Sequence, residues 1–237
     1  FEQLSAYLQR RHLLLILDSF EEALPASHAL TRLLQAAPGL QLLVTSRMRL
    51  NVQAEQVFLL QGLHYPALTG LPRAELNLAD YSALQLFHNA ARQVRPDIVL
   101  TPADLPTLAR ICQLVDGMPL GLVLAAGWLA TCTPAEIAAE IERSLDFLSS
   151  SWGDLPERQR SLRATLDHSW MLLTADERQA FQKLSIFQGV FSRQAAEQVA
   201  GINITGLRGL ADKSMLQASP GSYRMHDLLR QYAAEKL

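Results

Sequence analysis

Residues 12–22 read His12-Leu13-Leu14-Leu15-Ile16-Leu17-Asp18-Ser19-Phe20-Glu21-Glu22. Five consecutive bulky aliphatics, Leu13 to Leu17, predict a strand buried on both faces, as in a parallel sheet covered by helices. The run stops at a carboxylate. Ligands of open α/β sheets sit beyond the carboxyl ends of the strands, so Asp18 stands where chemistry is usually done. Two readings of Asp18 are open on this stretch alone. One is a ligand for a nucleotide-bound Mg²⁺, which prefers hard oxygen donors and keeps several waters. The other is a residue that ends the strand and caps a turn.

The flanking sequence completes a unit. Residues 1–10 have helical spacing through Leu4 and Leu8, and residues 25–37 carry Leu30, Leu33, Leu34 and Ala37 on one face before Pro38-Gly39. Gln41-Leu42-Leu43-Val44-Thr45 is a second short apolar strand, stopping at Ser46-Arg47. Strand, helix and strand make a β-α-β unit whose crossover should be right-handed and parallel. Val57-Phe58-Leu59-Leu60 is the third strand this pattern suggests.

From Pro66 the pattern changes. Pro66, Gly70 and Pro72 punctuate a linker, and no further strand is expected for over a hundred residues. Asp80 heads a helix with Leu84, Phe87 and Ala91 on one face; residues 102–115 make another, closed by Gly117. Met118 to Ala130 is an apolar run of thirteen residues, too short to span a bilayer and read as a buried helix. Thr133-Pro134 starts the next helix with Pro at its first position. A second boundary falls between Ser149 and Pro156. Beyond it come helices at 158–173, after the capping box Thr174-Ala175-Asp176-Glu177, at 192–200 and at 205–213. Residues 215–225 read as a hairpin around Pro220-Gly221, and His226 opens a last amphipathic helix. Several helices followed by a hairpin is the winged-helix pattern.

Bulk properties narrow the classes. The chain has 237 residues, 49% hydrophobic and 19% charged, with a net charge of −2. That balance argues against a strongly basic nucleic-acid binder. Cys112 and Cys132 lie in apolar helical sequence without metal-ligand spacing, and read as buried free thiols of a reducing compartment. No signal peptide is visible, and the expected location is cytoplasmic.

Three further features could carry chemistry. Arg47, at the carboxyl end of the second strand, is suited to reading a γ-phosphate by charge-assisted hydrogen bonds, or is a solvated residue before a loop, like Arg49. Asp116-Gly117-Met118-Pro119 makes a tight turn between two helices, which suffices to explain it as structure. His226, at a helix start, can direct a ring N–H at an anion beside free backbone N–H groups, or be structural.

In order, HLLLILDSFEE, LVTSR, DGMPLGLVLAAGWL, RSLRATLDHSW, FQKLSIFQGVFS, LADKSML and YRMHDLL resemble the NB-ARC-type module of STAND signalling ATPases. The bacterial kind in large LuxR- or SARP-type transcriptional regulators is the nearest match. The resemblance covers nearly the whole chain. It implies an α/β part followed by all-α and winged-helix parts: 1–65, the C-terminal half of a P-loop NTPase parallel sheet; 66–150, a helical domain; and 151–237, a winged helix.

The same resemblance implies residue roles. Asp18 falls on the Walker-B Asp that holds Mg²⁺. Ser19 replaces the usual second acidic residue, so the catalytic carboxylate is either missing or displaced to Glu21, and fast hydrolysis is not expected. Arg47 falls on the sensor of the γ-phosphate, Pro119 on the proline that packs against adenine, and His226 on the histidine that meets the β-phosphate of ADP. In such proteins the winged helix is a lid on the nucleotide rather than a DNA reader.

One departure stands out. No G-x-x-x-x-G-K-[ST] occurs in the sequence, so the main phosphate cradle is missing. The family carries it upstream of the Walker-B strand, which here means before Phe1. The expectation is a fragment of an ATP/ADP-dependent switch that self-associates or meets protein partners when activated. ATP or ADP and Mg²⁺ would belong to the intact parent, a slow regulatory ATPase, and this fragment alone would bind neither well. Direct DNA binding and membrane association are not expected. The rival readings are a nucleotide-free protein-interaction scaffold and a DNA-binding winged-helix module, the latter weakened because residues 205–213 offer only Arg208 and Lys213.

Overall fold

A computed structural model describes residues 1–67, 77–150 and 160–237. The linker signals at Gly70 and Pro72, the boundary stretch 151–156 and the helix start at Arg158 lie outside the described residues. The chain forms two compact units, one of residues 1–59 with 211–214, the other of residues 60–210 with 215–237. The architecture is mixed α/β, mostly helical, with two small sheets.

In the first unit α1 (Glu2–Leu8) precedes β1 (Leu13–Leu17). A 3-10 turn (Phe20–Ala26) then leads into α2 (Ser27–Ala36), and β2 (Leu40–Val44) follows. β1 and β2 pair in parallel with Leu13 opposite Leu40 and Leu17 opposite Val44, as the β-α-β pattern requires. Leu8, Leu33, Ala37 and Leu40 form the small core, with Leu13, Leu15, Leu34 and Leu42 packed on it.

Two expectations change here. β1 is not covered on both faces: Leu14 and Ile16 are exposed, as is Leu43 of β2, because both helices pack on the opposite face. Residues 57–60 form no strand. A strand needs a neighbouring backbone to satisfy its N–H and C=O groups. Among the described residues none pairs with these, and Phe58 (85%), Leu59 (70%) and Leu60 (86%) stand in solvent.

The second unit holds α3 (Ser82–Val94), α4 (Leu105–Leu114), α5 (Pro119–Gly127) and α6 (Pro134–Arg143). It continues with α7 (Leu162–Met171), α8 (Ala175–Leu184), α9 (Arg193–Ala200), α10 (Ile204–Asp212, whose last two residues belong to the first unit) and α11 (Asp227–Glu235). α3 shows why these segments are helical: Ala83, Leu84, Phe87, Ala90 and Ala91 are its buried residues, a single stripe at helical spacing. That stripe packs chiefly on α5, and α4 packs on α6. Capping boxes start α6, through Thr133 and Glu136, and α8, through Thr174 and Glu177. One continuous core runs from Ala83 to Ala233 and includes Phe87, Leu122, Phe181 and Tyr232.

The three-stranded antiparallel sheet has the order β3 (Val190–Ser192), β5 (Ser222–Arg224), β4 (Gln217–Ser219). The expected hairpin is β4 and β5, turning at Gly221 with φ 77°. β3 has no counterpart in the sequence reading. Three residues are too few to show a period-two pattern, and the strand is defined by its pairing with β5. α11 is fixed at its far end, where Arg163 bridges Asp146 and Glu235 and the Tyr232 hydroxyl donates to Asp167 at 2.5 Å. Both cysteines are free. Cys112 is buried, which pushes its thiol up to about 12, whereas Cys132 is only half-buried, contrary to expectation.

Candidate functional site

The first unit brings Asp18, Thr45, Glu21 and Arg47 to the carboxyl ends of β1 and β2. Asp18 is exposed, and its Oδ1 accepts from the Thr45 hydroxyl at 2.5 Å. The same hydroxyl oxygen accepts from the Ser19 N–H at 3.0 Å, with Ser19 in the left-handed region at φ 56°. The chain thus turns sharply after the strand and leaves the Asp18 carboxylate at its rim. Glu21 is 7% exposed, with Arg47 Nε at 3.6 Å, and it accepts from the Arg47 backbone N–H at 3.4 Å. The acid expected to do chemistry therefore faces inward and holds Arg47. Arg49 pairs with Asp212 at 3.2 Å within the same unit, and Ser214 donates to the Arg47 carbonyl at 3.1 Å.

The donor set fits Mg²⁺ only as a minor protein contribution. Among the described residues no three His, Cys, Asp or Glu side chains converge on a metal-sized space. One exposed carboxylate beside a hydroxyl suits an ion that takes most of its oxygens from water and phosphate.

In the second unit the turn before α5 and the start of α11 meet. β5 runs directly into Met225 and His226, and His226 caps α11 by accepting the Leu228 N–H on Nδ1 at 3.0 Å. Its Nε2 lies 3.3 Å from Asp116 Oδ2. The other Asp116 oxygen accepts from the Tyr65 hydroxyl at 2.5 Å, and burial together with that bond pushes Tyr65 up to about 12. Burial, reinforced by Arg224, lowers the His226 pKa below its ordinary value, against the opposing pull of Asp116 and Asp227. The imidazole is therefore neutral at neutral pH, with its proton on Nε2. Pro119 is exposed at the first position of α5. Asp116 and Tyr65 were not among the expected site residues. The sequence signal for Asp116 was its place beside Gly117 and Pro119; Tyr65 carried none.

No family profile matches the sequence. Among curated proteins, one from Mycobacterium tuberculosis, assigned by name to the HTH-type transcriptional regulators, is 29% identical over 248 residues, covering 100% of this chain and 26% of that protein. Regulatory protein AfsR of Streptomyces griseus is 30% identical over 240 residues, covering 95% of this chain and 21% of its own length. The chain is similar to part of bacterial transcriptional regulators. An uncharacterized protein of M. tuberculosis matches at 30% identity over 238 residues, 94% of this chain and 57% of that protein. The chain thus spans about a quarter of the length of the first of these relatives. A solved STAND signal-transduction ATPase with a tetratricopeptide repeat sensor, from Pyrococcus horikoshii, aligns over 100% of this chain and 30% of its own. The two are 19% identical, with a TM-score of 0.31. Among the described residues no helix is long and apolar enough to cross a membrane.

Proposed function

We propose that the chain is part of a nucleotide-dependent switch in a bacterial transcriptional regulator of the STAND type. The second unit supplies Pro119 to pack against adenine and His226 to meet the β-phosphate of ADP, which holds the inactive state. The first unit supplies Arg47 to read the γ-phosphate and Asp18 as the protein ligand of Mg²⁺, whose role is to neutralise phosphate charge. Exchange of ADP for ATP then frees the protein to self-associate or to engage protein partners. A ligand biases such an equilibrium only through different contacts in the two states. Ser19 and the inward-facing Glu21 make hydrolysis slow. The helices around β3, β4 and β5 act as a winged-helix lid rather than as a reader of DNA.

The observation that carries this reading is the meeting of the Asp116–Pro119 turn with His226 within one unit, 3.3 Å apart at the nearest ionisable atoms. Similarity to transcriptional regulators over the full chain supports the regulatory context. The test is His226→Ala in the full-length protein. ADP retention should weaken and basal activity should rise, and unchanged ADP affinity would sink the assignment.

A further inference from the structure

Both ring nitrogens of His226 are engaged. Nδ1 accepts from Leu228, so the neutral ring carries its proton on Nε2, the nitrogen that lies 3.3 Å from Asp116 Oδ2. Asp116 reaches that position at a backbone cost. Its φ is 47° and that of Gly117 is 65°, and a residue with a Cβ is strained in the left-handed region. The surrounding structure holds it there. Leu63 N–H donates to the Gly117 carbonyl at 2.8 Å, and a Cβ on Gly62 would lie 1.9 Å from the Asp116 carbonyl oxygen. Strain of this kind persists where neighbours over-determine it, and here it delivers a carboxylate with one oxygen on Tyr65 and the other facing His226. The charged and titratable groups acting on the ring are Asp116, Asp227 and Arg224, with Tyr65 on the far oxygen of Asp116.

We propose that Asp116 is the positioning residue for His226, fixing the ring as its Nε2–H form and occupying that N–H until a ligand phosphate displaces it. The second half of this statement rests on the phosphate role of His226 given above. A phosphate and a carboxylate need the same donor and repel one another, so Asp116 acts as an internal competitor. Asp116→Asn keeps the shape and removes the charge. Its amide oxygen accepts from Nε2–H while its NH₂ donates to the Tyr65 oxygen.

Two measurements test this. In a nitrogen-15 NMR titration of the histidine side chains, the wild-type His226 should be the Nε2–H tautomer at neutral pH. Its midpoint should fall by about half a unit or more in Asp116→Asn, because an opposite charge is lost. A turn-forming role alone would leave the midpoint unmoved, and that result overturns the proposal. Should Asp116→Asn fail to give a dispersed amide spectrum, Tyr65→Phe serves instead: it frees the carboxylate's charge and should raise the midpoint. Calorimetric titration of the full-length protein with ADP is the second measurement, and Asp116→Asn should tighten binding about threefold or more. Loss of ADP affinity in His226→Ala with no gain in Asp116→Asn overturns the competition. Affinity indifferent to both variants refutes the phosphate role of His226 and the competition with it, whatever the tautomer result.

Discussion

Gly117→Ala measures how tightly the turn before α5 is clamped, and Gly201→Ala is its internal control. Both glycines have positive φ, 65° and 68°, so both alanines pay the left-handed penalty of about 1 kcal/mol. The surroundings differ. A Cβ at Gly201 would meet nothing within 4 Å, whereas one at Gly117 would lie 2.2 Å from the Leu63 carbonyl oxygen and 2.8 Å from the Leu63 nitrogen. These are backbone atoms, so relief requires moving residues 62–65 away, stretching the hydrogen bond from Leu63 N–H to the Gly117 carbonyl. Overpacking costs about 1–3 kcal/mol and a lost hydrogen bond about 1 kcal/mol. Gly117→Ala should therefore cost about 3–5 kcal/mol, against about 1 kcal/mol for Gly201→Ala. Urea unfolding followed by tryptophan fluorescence isolates the relevant unit, since Trp128, Trp152 and Trp170 all fall in its sequence range. Equal losses in the two variants would refute the clamp.

Two further predictions concern stability. The pKa of His226 is lowered in the folded chain, whereas the ordinary value is 6.5, so the unfolded chain binds the proton first as pH falls. Stability should be full above 6.5 and should decline as pH drops from there towards the lower folded value, and His226→Gln should flatten that decline; an identical acid profile in the two proteins refutes it. Thr174→Ala removes the acceptor for the Glu177 N–H of the α8 capping box and should cost about 1 kcal/mol in the same urea assay, with a loss below about 0.3 kcal/mol contradicting the capping role.

Local signals in the sequence identified most elements correctly. The β-α-β unit, the α8 capping box, the Pro-Gly hairpin and the helix opened by His226 each depend on neighbouring residues, and each forms where expected. What failed depended on partners distant in the chain. Val57–Leu60 has strand-forming side chains but no paired neighbour, while the three residues of β3 have little pattern and a good partner in β5. The apolar run of β1 suggested two buried faces, yet its exposure alternates, because the count of aliphatics says nothing about what lies across the sheet. At the candidate site, the positions of Asp18 and Arg47 after the two strands and of His226 at a helix start were legible. The inward turn of Glu21 towards Arg47 and the hold of Asp116 on His226 were not, since each is a contact between segments that the sequence lists far apart.

The two-stranded parallel sheet of the first unit bears on handling the protein. Among the described residues neither β1 nor β2 pairs with a further strand, and Leu14, Ile16 and Leu43 line the exposed face of the sheet. An unprotected edge next to an aliphatic surface is a template for adding strands from other copies. Prepared alone, the chain is predisposed to concentration-dependent aggregation that begins in its first sixty residues, and charged substitutions at Leu14 or Ile16 are the gatekeepers that would suppress it.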